Sequence, residues 1–196
     1  MPQARSTFVA LMPCRWSPQR EGVRQFLVFP WREDRNKGLD ETKEETLARV
    51  GSESVPVSYK FIGGTNNGHP DEFDKFVTGS REFMEESRIV MVADDLHDRV
   101  AHIFRVEKFG HTQYFMLFNA NELWQKWESE VRREITIDDA TPPRPGRPKR
   151  CAEVLGVPVW IDEDVLLSGG DMFASHLPAL VDAHNWLGLG PIESMT

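Results

Sequence analysis

REFMEES, Arg81 to Ser87, places three glutamates within five residues. The segment before it, DEFDKFVTGS, lacks proline and continues an apolar periodicity into it, so the spacing predicts one helix from about Glu72 to Ser87. At roughly 100° per residue, with Glu82 at zero, Glu85 falls near 300° and Glu86 near 40°, an acidic arc of about 100°. Phe73, Phe76, Val77, Phe83 and Met84 fall between about 100° and 220° on the same wheel. The helix therefore has an aromatic side to dock on a sheet and an acidic edge at the rim of whatever the preceding loop encloses.

Like charges at i, i+3 and i+4 repel by a few tenths of a kcal/mol per pair, so something is expected to offset them. A hard divalent cation would, because Mg²⁺ takes oxygen ligands and is usually held by a few carboxylates with water and substrate phosphate. Arg81, near 260° on the wheel, is close enough to orient one carboxylate by charge-assisted hydrogen bonding. The bland alternative is a solvated acidic face, and the chain carries two such runs, KEET at Lys43 to Thr46 and RREITIDD at Arg132 to Asp139. Neither follows a strand and a glycine turn, and the second favours a strand.

Upstream, VPVSYKFIGG has strand character and ends on Gly63 and Gly64, after which TNNGHPDEF supplies residues that favour loops and helix starts. Here the residues resemble the Nudix box, R-E-U-x-E-E-x-G-U with U bulky and apolar: Arg81, Glu82, Phe83, Glu85, Glu86 and Ile89 take the matching positions. FIGG resembles the strand end and glycine pair that open that box, where glycine lets the backbone approach a metal or phosphate closely. The sequence departs from the pattern twice. Sixteen residues separate Gly64 from Arg81, a loop three residues longer than the family's, and Arg88 stands where the family has a glycine. The longer loop leaves open which of Asp71, Glu72 or Asp74 stands for the box's upstream acidic residue.

The resemblance implies an α/β (α+β) fold, an α/β/α sandwich around a mixed, partly antiparallel sheet. It implies dependence on Mg²⁺ or Mn²⁺, with Glu82, Glu85, Glu86 and Gly64 as the metal site and Arg81 beside them in the catalytic set. The expected reaction is hydrolysis of a diphosphate linkage in a nucleoside diphosphate joined to another group: a nucleotide sugar, ADP-ribose, a dinucleotide or a nucleoside triphosphate. Glu82 could accept the proton of the attacking water, with Glu107 and Glu153 as candidates outside the box. The alternative is a catalytically weak Nudix-like nucleotide-binding or regulatory module. A third reading, an isomerase of prenyl diphosphates on the same fold, would need a catalytic cysteine in the pocket.

Around the box, STFVALMPC (6 to 14) and RQFLVFPW (24 to 31) read as two antiparallel strands, and RVAHIFRVEKF with HTQYFMLFNA as a hairpin about Gly110. NELWQKWESEVRRE reads as a helix, and AEVLGVPVWIDEDVLL followed by SHLPALVDAHNWLGLG as a strand, a turn and a C-terminal helix stopped by glycine. One domain over 1–196 is expected, with a charged insertion at about 32–54, where Thr42 and Glu45 have capping-box spacing, and a Pro/Arg-rich loop at about 141–150.

Two cysteines, Cys14 and Cys151, make neither a disulfide framework nor a thiolate zinc site, and read as buried thiols. A net charge of −8 argues against binding a nucleic acid polymer, and no apolar run is long enough to span a bilayer. A cytoplasmic protein with a small nucleotide substrate and no membrane partner is expected; a homodimer is left open. Trp16, Trp31, Trp124, Trp127 and Trp160 include stacking partners for a base, although each such residue more often serves the core. His69, in the box loop, is the candidate phosphate contact, against the plainer reading of an exposed loop histidine; the other histidines have no metal-ligand spacing.

Overall fold

The computed structural model describes residues 7–37, 41–42, 44–45, 48–49, 58–66, 74–87, 90–108, 111–120, 136–141, 150–156 and 158–188. Its centre is the continuous apolar run FVALMPC, which lacks the polar alternation of a half-exposed strand because both of its faces are covered. That strand, β1 (Thr7–Trp16), pairs antiparallel with β4 (Ile62–Thr65) over its first half and with β2 (Arg24–Lys37) over its last three residues. Pro13 falls in the interval between these two pairings, where a strand residue without an amide proton is tolerated. From Thr7 to Cys14 β1 also runs parallel to β6 (His111–Asn119), which forms an antiparallel hairpin with β5 (Val100–Lys108).

Strand β2 is the second organiser. It pairs antiparallel with β9 (Val159–Asp162), β3 (Ser58–Lys60) and β8 (Arg150–Leu155), and β8 in turn pairs with β7 (Thr136–Thr141). The result is one mixed sheet in the order β5-β6-β1-β2-β8-β7, with β3, β4 and β9 laid against its central strands. Among the described residues, the helices are α1 (Lys75–Ser87), α2 (Ala93–Arg99), α3 (Glu163–Ser168) and α4 (Leu177–Gly188), besides helical residues at 44–45 and 48–49.

Alternation along the central strands divides the core in two. Val9, Leu11, Leu27, Phe29, Ile62, Met116 and Phe118 pack with Phe83 of α1 and Leu96 of α2 on one face. Ala10, Met12, Cys14, Phe26, Val28, Phe61, Phe115 and Leu117 pack with Leu166 of α3 and Leu180, Ala183 and Leu187 of α4 on the other. The fold is therefore the mixed α+β class expected, with helices on both faces of a sheet of parallel and antiparallel strands. On the α4 face, the Phe61 amide donates to Nδ1 of buried His176 at 3.0 Å, which makes this histidine a core fastener between helix and sheet.

Several expectations changed in detail. β2 does not end at Trp31: it continues to Lys37 because β8 supplies main-chain partners from Trp31 onward, and ladder hydrogen bonds are indifferent to the charge of REDRNK. The first part of the charged insertion is thus strand. Its capping box is present, with Thr42 N donating to Glu45 Oε2 at 2.8 Å and Glu45 N to Thr42 Oγ1 at 3.2 Å, and the bonds that the Glu45 carboxylate accepts from the Thr42 amide and hydroxyl hold it below its usual pKa. Of the two runs set aside as ordinary acidic faces, Glu44 and Glu45 of the first are exposed, and the described part of the second is strand at Thr136–Thr141. The NELWQKWESEVRRE segment and residues 142–149 of the Pro/Arg-rich loop lie outside the described residues, although Thr141 and Arg150 themselves end strands β7 and β8. The short helix α2, and the break of the C-terminal strand into β8 and β9, were not anticipated.

Candidate active site

The acidic helix α1 begins after Asp74, whose side chain accepts from the Phe76 amide at 2.8 Å in the manner of an N-cap. That role accounts for Asp74 as a helix start; Asp71 and Glu72 lie outside the described residues, as does the first of the expected helical turns. The helix settles closer to the sheet than its aromatic pattern implies. Gly79 faces Leu11, Val9 and Leu96 so tightly that a methyl group there would come within 3.2 Å of Leu11. With Gly79, Ser80, Phe83 and Ser87 inward, the buried arc is rotated from the expected one, and Met84 is left 43% exposed. At the other end, Ser87 Oγ donates to the Phe83 carbonyl, which closes the last turn without the expected glycine.

The rotation turns the glutamate edge onto the end of β4. Glu86 Oε2 accepts from the Gly63 amide at 3.3 Å, and the Glu82 carboxylate lies where a side chain at Gly64 would have to be. Both glycines are required, for different reasons. A Cβ at Gly63 would overlap the Val9 carbonyl and Ala10 of β1, whereas one at Gly64 would overlap the Glu82 carboxylate, its nearest neighbour. Glu82 and Glu86 are largely buried, at 14% and 13% side-chain exposure, while Glu85 is 53% exposed.

Two cations of the chain itself meet these carboxylates. Arg81 contacts Glu82 Oε1 at 2.8 Å, Glu85 Oε2 at 2.9 Å and the Thr65 carbonyl at 3.0 Å, tying the helix edge to the end of β4. Lys60 Nζ, on β3, lies 3.5 Å from Glu86 Oε1 and is itself nearly buried. Three carboxylates against two cations leave these five side chains with a net charge of −1. The repulsion along α1 is thus at least partly offset within the fold.

Arg81 joins Glu82 and Glu85, Glu82 lies against Gly64 and Glu86 meets Gly63, while Glu85 itself turns outward. His69 lies outside the described residues. Glu107 sits on edge strand β5, paired with Arg105 and accepting from Thr112 Oγ1, three strand spacings from β4, about 14 Å across the sheet. Glu153 is a mid-strand residue of β8, in register with Glu33 and Asp138. Lys60 escaped the sequence reading, although a lysine two residues before Ile62 in a strand with a buried face was a signal of an inward charge.

The donor set suits a hard cation in part. Glu82 and Glu86 lie against adjacent glycines, in a cradle that a Cβ would fill, and oxygen donors of this kind match Mg²⁺ or Mn²⁺, which keep positions for water and phosphate. Glu85 is drawn outward by Arg81, and among the described residues no three His, Cys, Asp or Glu side chains converge on one point.

Cys14 belongs to the opposite face of the sheet, packed with the α4 side of the core, and burial pushes its thiol up to about 12. It is not beside the glutamates, and so does not supply the cysteine an isomerase would need. We expect Cys14 to resist alkylation by iodoacetamide at pH 8 in the folded protein and to react only on unfolding, because the thiolate is the nucleophile. Labelling detected by mass spectrometry at native and denaturing urea concentrations checks this. Among the described residues, no helix is long and apolar enough to cross a membrane.

No family model matches the chain, and no curated protein sequence matches it either. Among solved structures, it is similar to the solution structure of the E. coli ORF135 protein, at 13% identity over 94% of each chain with a TM-score of 0.43. It is also similar to the crystal structure of a MutT/nudix family protein from Enterococcus faecalis, at 12% identity and a TM-score of 0.43, covering 96% of this chain and 64% of that one.

Proposed function

We propose that this chain is a divalent-cation-dependent hydrolase that cleaves a diphosphate linkage in a nucleoside diphosphate derivative or nucleoside triphosphate. The observation that carries the reading is the closure of the Glu82–Glu86 edge of α1 onto Gly63 and Gly64 of β4, which sets two nearly buried carboxylates against strand backbone that carries no side chain. Glu82 and Glu86 would hold the cation, with Glu85 joining if Arg81 releases it. When bound, Mg²⁺ or Mn²⁺ would neutralise phosphate charge and acidify a water molecule. The chain's own part is positioning: Arg81 fixes Glu82 against Gly64, and Lys60 fixes Glu86 against the Gly63 amide. Glu82 is the candidate beside the glycines to accept the proton of the attacking water, and Glu107 would need a change in geometry to do so.

The same ion pairs favour a second reading. Carboxylates already met by Arg81 and Lys60 need no metal to be tolerated, as would suit a nucleotide-binding module without turnover. Thermal unfolding under Mn²⁺ titration, with a product-release screen of nucleotide sugars, ADP-ribose, dinucleotides and nucleoside triphosphates, separates the two. The hydrolase reading expects stabilisation of about 2.7 kcal/mol when the free ion reaches a hundred times its Kd, together with product release that requires the ion. An unfolding midpoint indifferent to millimolar Mn²⁺, with no substrate cleaved, would establish the module instead.

A further inference from the structure

Six tryptophans occur in the chain, and their surroundings differ in kind. Trp16 is exposed, Trp160 lies beneath the Arg15 guanidinium at 4.2 Å, and Trp186 stacks on His102 on the α4 side of the sheet. Trp124 and Trp127 lie outside the described residues. Trp31 is a buried member of the cluster that contains Phe83 of α1, on the face of the glutamates, and Trp160 packs against that cluster from a partly buried position. Trp31 is only 9% exposed, yet its indole N–H is buried with no acceptor.

A desolvated donor without a partner is costly and rare in native proteins, and a binding face is where such a group finds its acceptor on a ligand. The indole is donor-only, with its N–H on the edge of an apolar plane, so its complement is a flat ring carrying an acceptor at its edge. Phe173 packs against the indole at 4.7 Å between centroids, tilted by 57°, and fixes its orientation. On the sheet, Trp31 opposes Ser58 and Phe29 opposes Lys60, two residues along β2, about 7 Å away at 3.3 Å per residue. Lys60 contacts Glu86. A sugar between a base and its phosphates would bridge that interval.

We propose that Trp31 is a recognition residue for the heteroaromatic base of a nucleotide, its indole N–H donating to a ring nitrogen or carbonyl oxygen on the base edge. The proposal rests on the nucleotide reading of the glutamate site for its choice of ligand. It is tested by calorimetric titration of the full chain, without divalent cation, with AMP, GMP, CMP and UMP, and with ribose 5-phosphate as the control lacking a base. At least one nucleotide is expected to bind tenfold or more tightly than ribose 5-phosphate. Trp31→Phe, which keeps the ring and removes the donor, should weaken that nucleotide about tenfold and leave ribose 5-phosphate unchanged. In turnover assays the same variant should raise KM with kcat retained.

Equal binding of the nucleotides by Trp31→Phe and the parent chain overturns the proposal, as does a failure of every nucleotide to outbind ribose 5-phosphate. Binding that depends on Trp31 without any cation-dependent cleavage upholds the base site and defeats the hydrolase reading. Cleavage that depends on Glu86 with KM unmoved by Trp31→Phe does the opposite.

Discussion

Glu86→Gln is expected to lower turnover of any diphosphate substrate by a hundredfold or more, the scale on which removing a preorganised electrostatic group acts. The substitution keeps the size of the side chain and leaves an oxygen to accept from the Gly63 amide, so what it removes is the charge. That charge has two partners in this reading, the cation and Lys60 Nζ at 3.5 Å. Losing the second should destabilise the fold on the order of 2 kcal/mol, below the cost of breaking a wholly buried ion pair. The double variant Lys60→Gln with Glu86→Gln should recover most of that stability and none of the activity. Urea unfolding and steady-state kinetics on the single and double variants check both arms. Retention of most Mg²⁺-dependent activity in Glu86→Gln would sink the assignment.

Gly63→Ala and Gly64→Ala should fail in different ways, although the residues are adjacent and the substitution is the same. At position 63 the added methyl group meets the Val9 carbonyl and the Ala10 backbone in the β1–β4 ladder, where neither strand can give without breaking the register Val9↔Gly64, Ala10↔Gly63, Leu11↔Ile62. The expected loss is about 3 kcal/mol, the upper range for overpacking a tight core. At position 64 the obstacle is the end of a flexible glutamate. Gly64→Ala should therefore fold with an unfolding midpoint close to that of the parent chain, while displacing Glu82 and weakening Mn²⁺ binding and turnover together. Chemical denaturation paired with Mn²⁺ titration distinguishes the two, and identical behaviour of the two variants would show that the glycine pair is not arranged as described.

Much of this site was legible because its determinants are local. Three glutamates at i, i+3 and i+4 share an edge on any α-helix, and a Thr42–Glu45 capping box forms within four residues; the FIGG glycines, expected to end a strand, lie instead inside β4, which runs on to Thr65 because β1 supplies partners. The continuous apolar run of β1 likewise announced a strand covered on both sides. Less legible was the rotation of α1. The pattern placed Met84 with Phe83 on the docking side, but close approach at Gly79 turned the helix and left Met84 in solvent. Small residues direct close packing through what they lack, and a hydrophobic wheel assigns them little weight.

The sequence by itself determined the strand and helix types of the site, the shared edge of Glu82, Glu85 and Glu86, and the position of Arg81 beside them, because helical periodicity acts over a few residues. Only the tertiary structure decided that Lys60 contacts Glu86, that Cys14 lies on the opposite face of the sheet, and that Trp31 shares the glutamate face with an unanswered N–H. Each of these depends on register between strands distant in the chain, and a shift of one residue would send every side chain of a strand to the other face. No local propensity encodes that choice; it is made when the two halves of the core close on the sheet together.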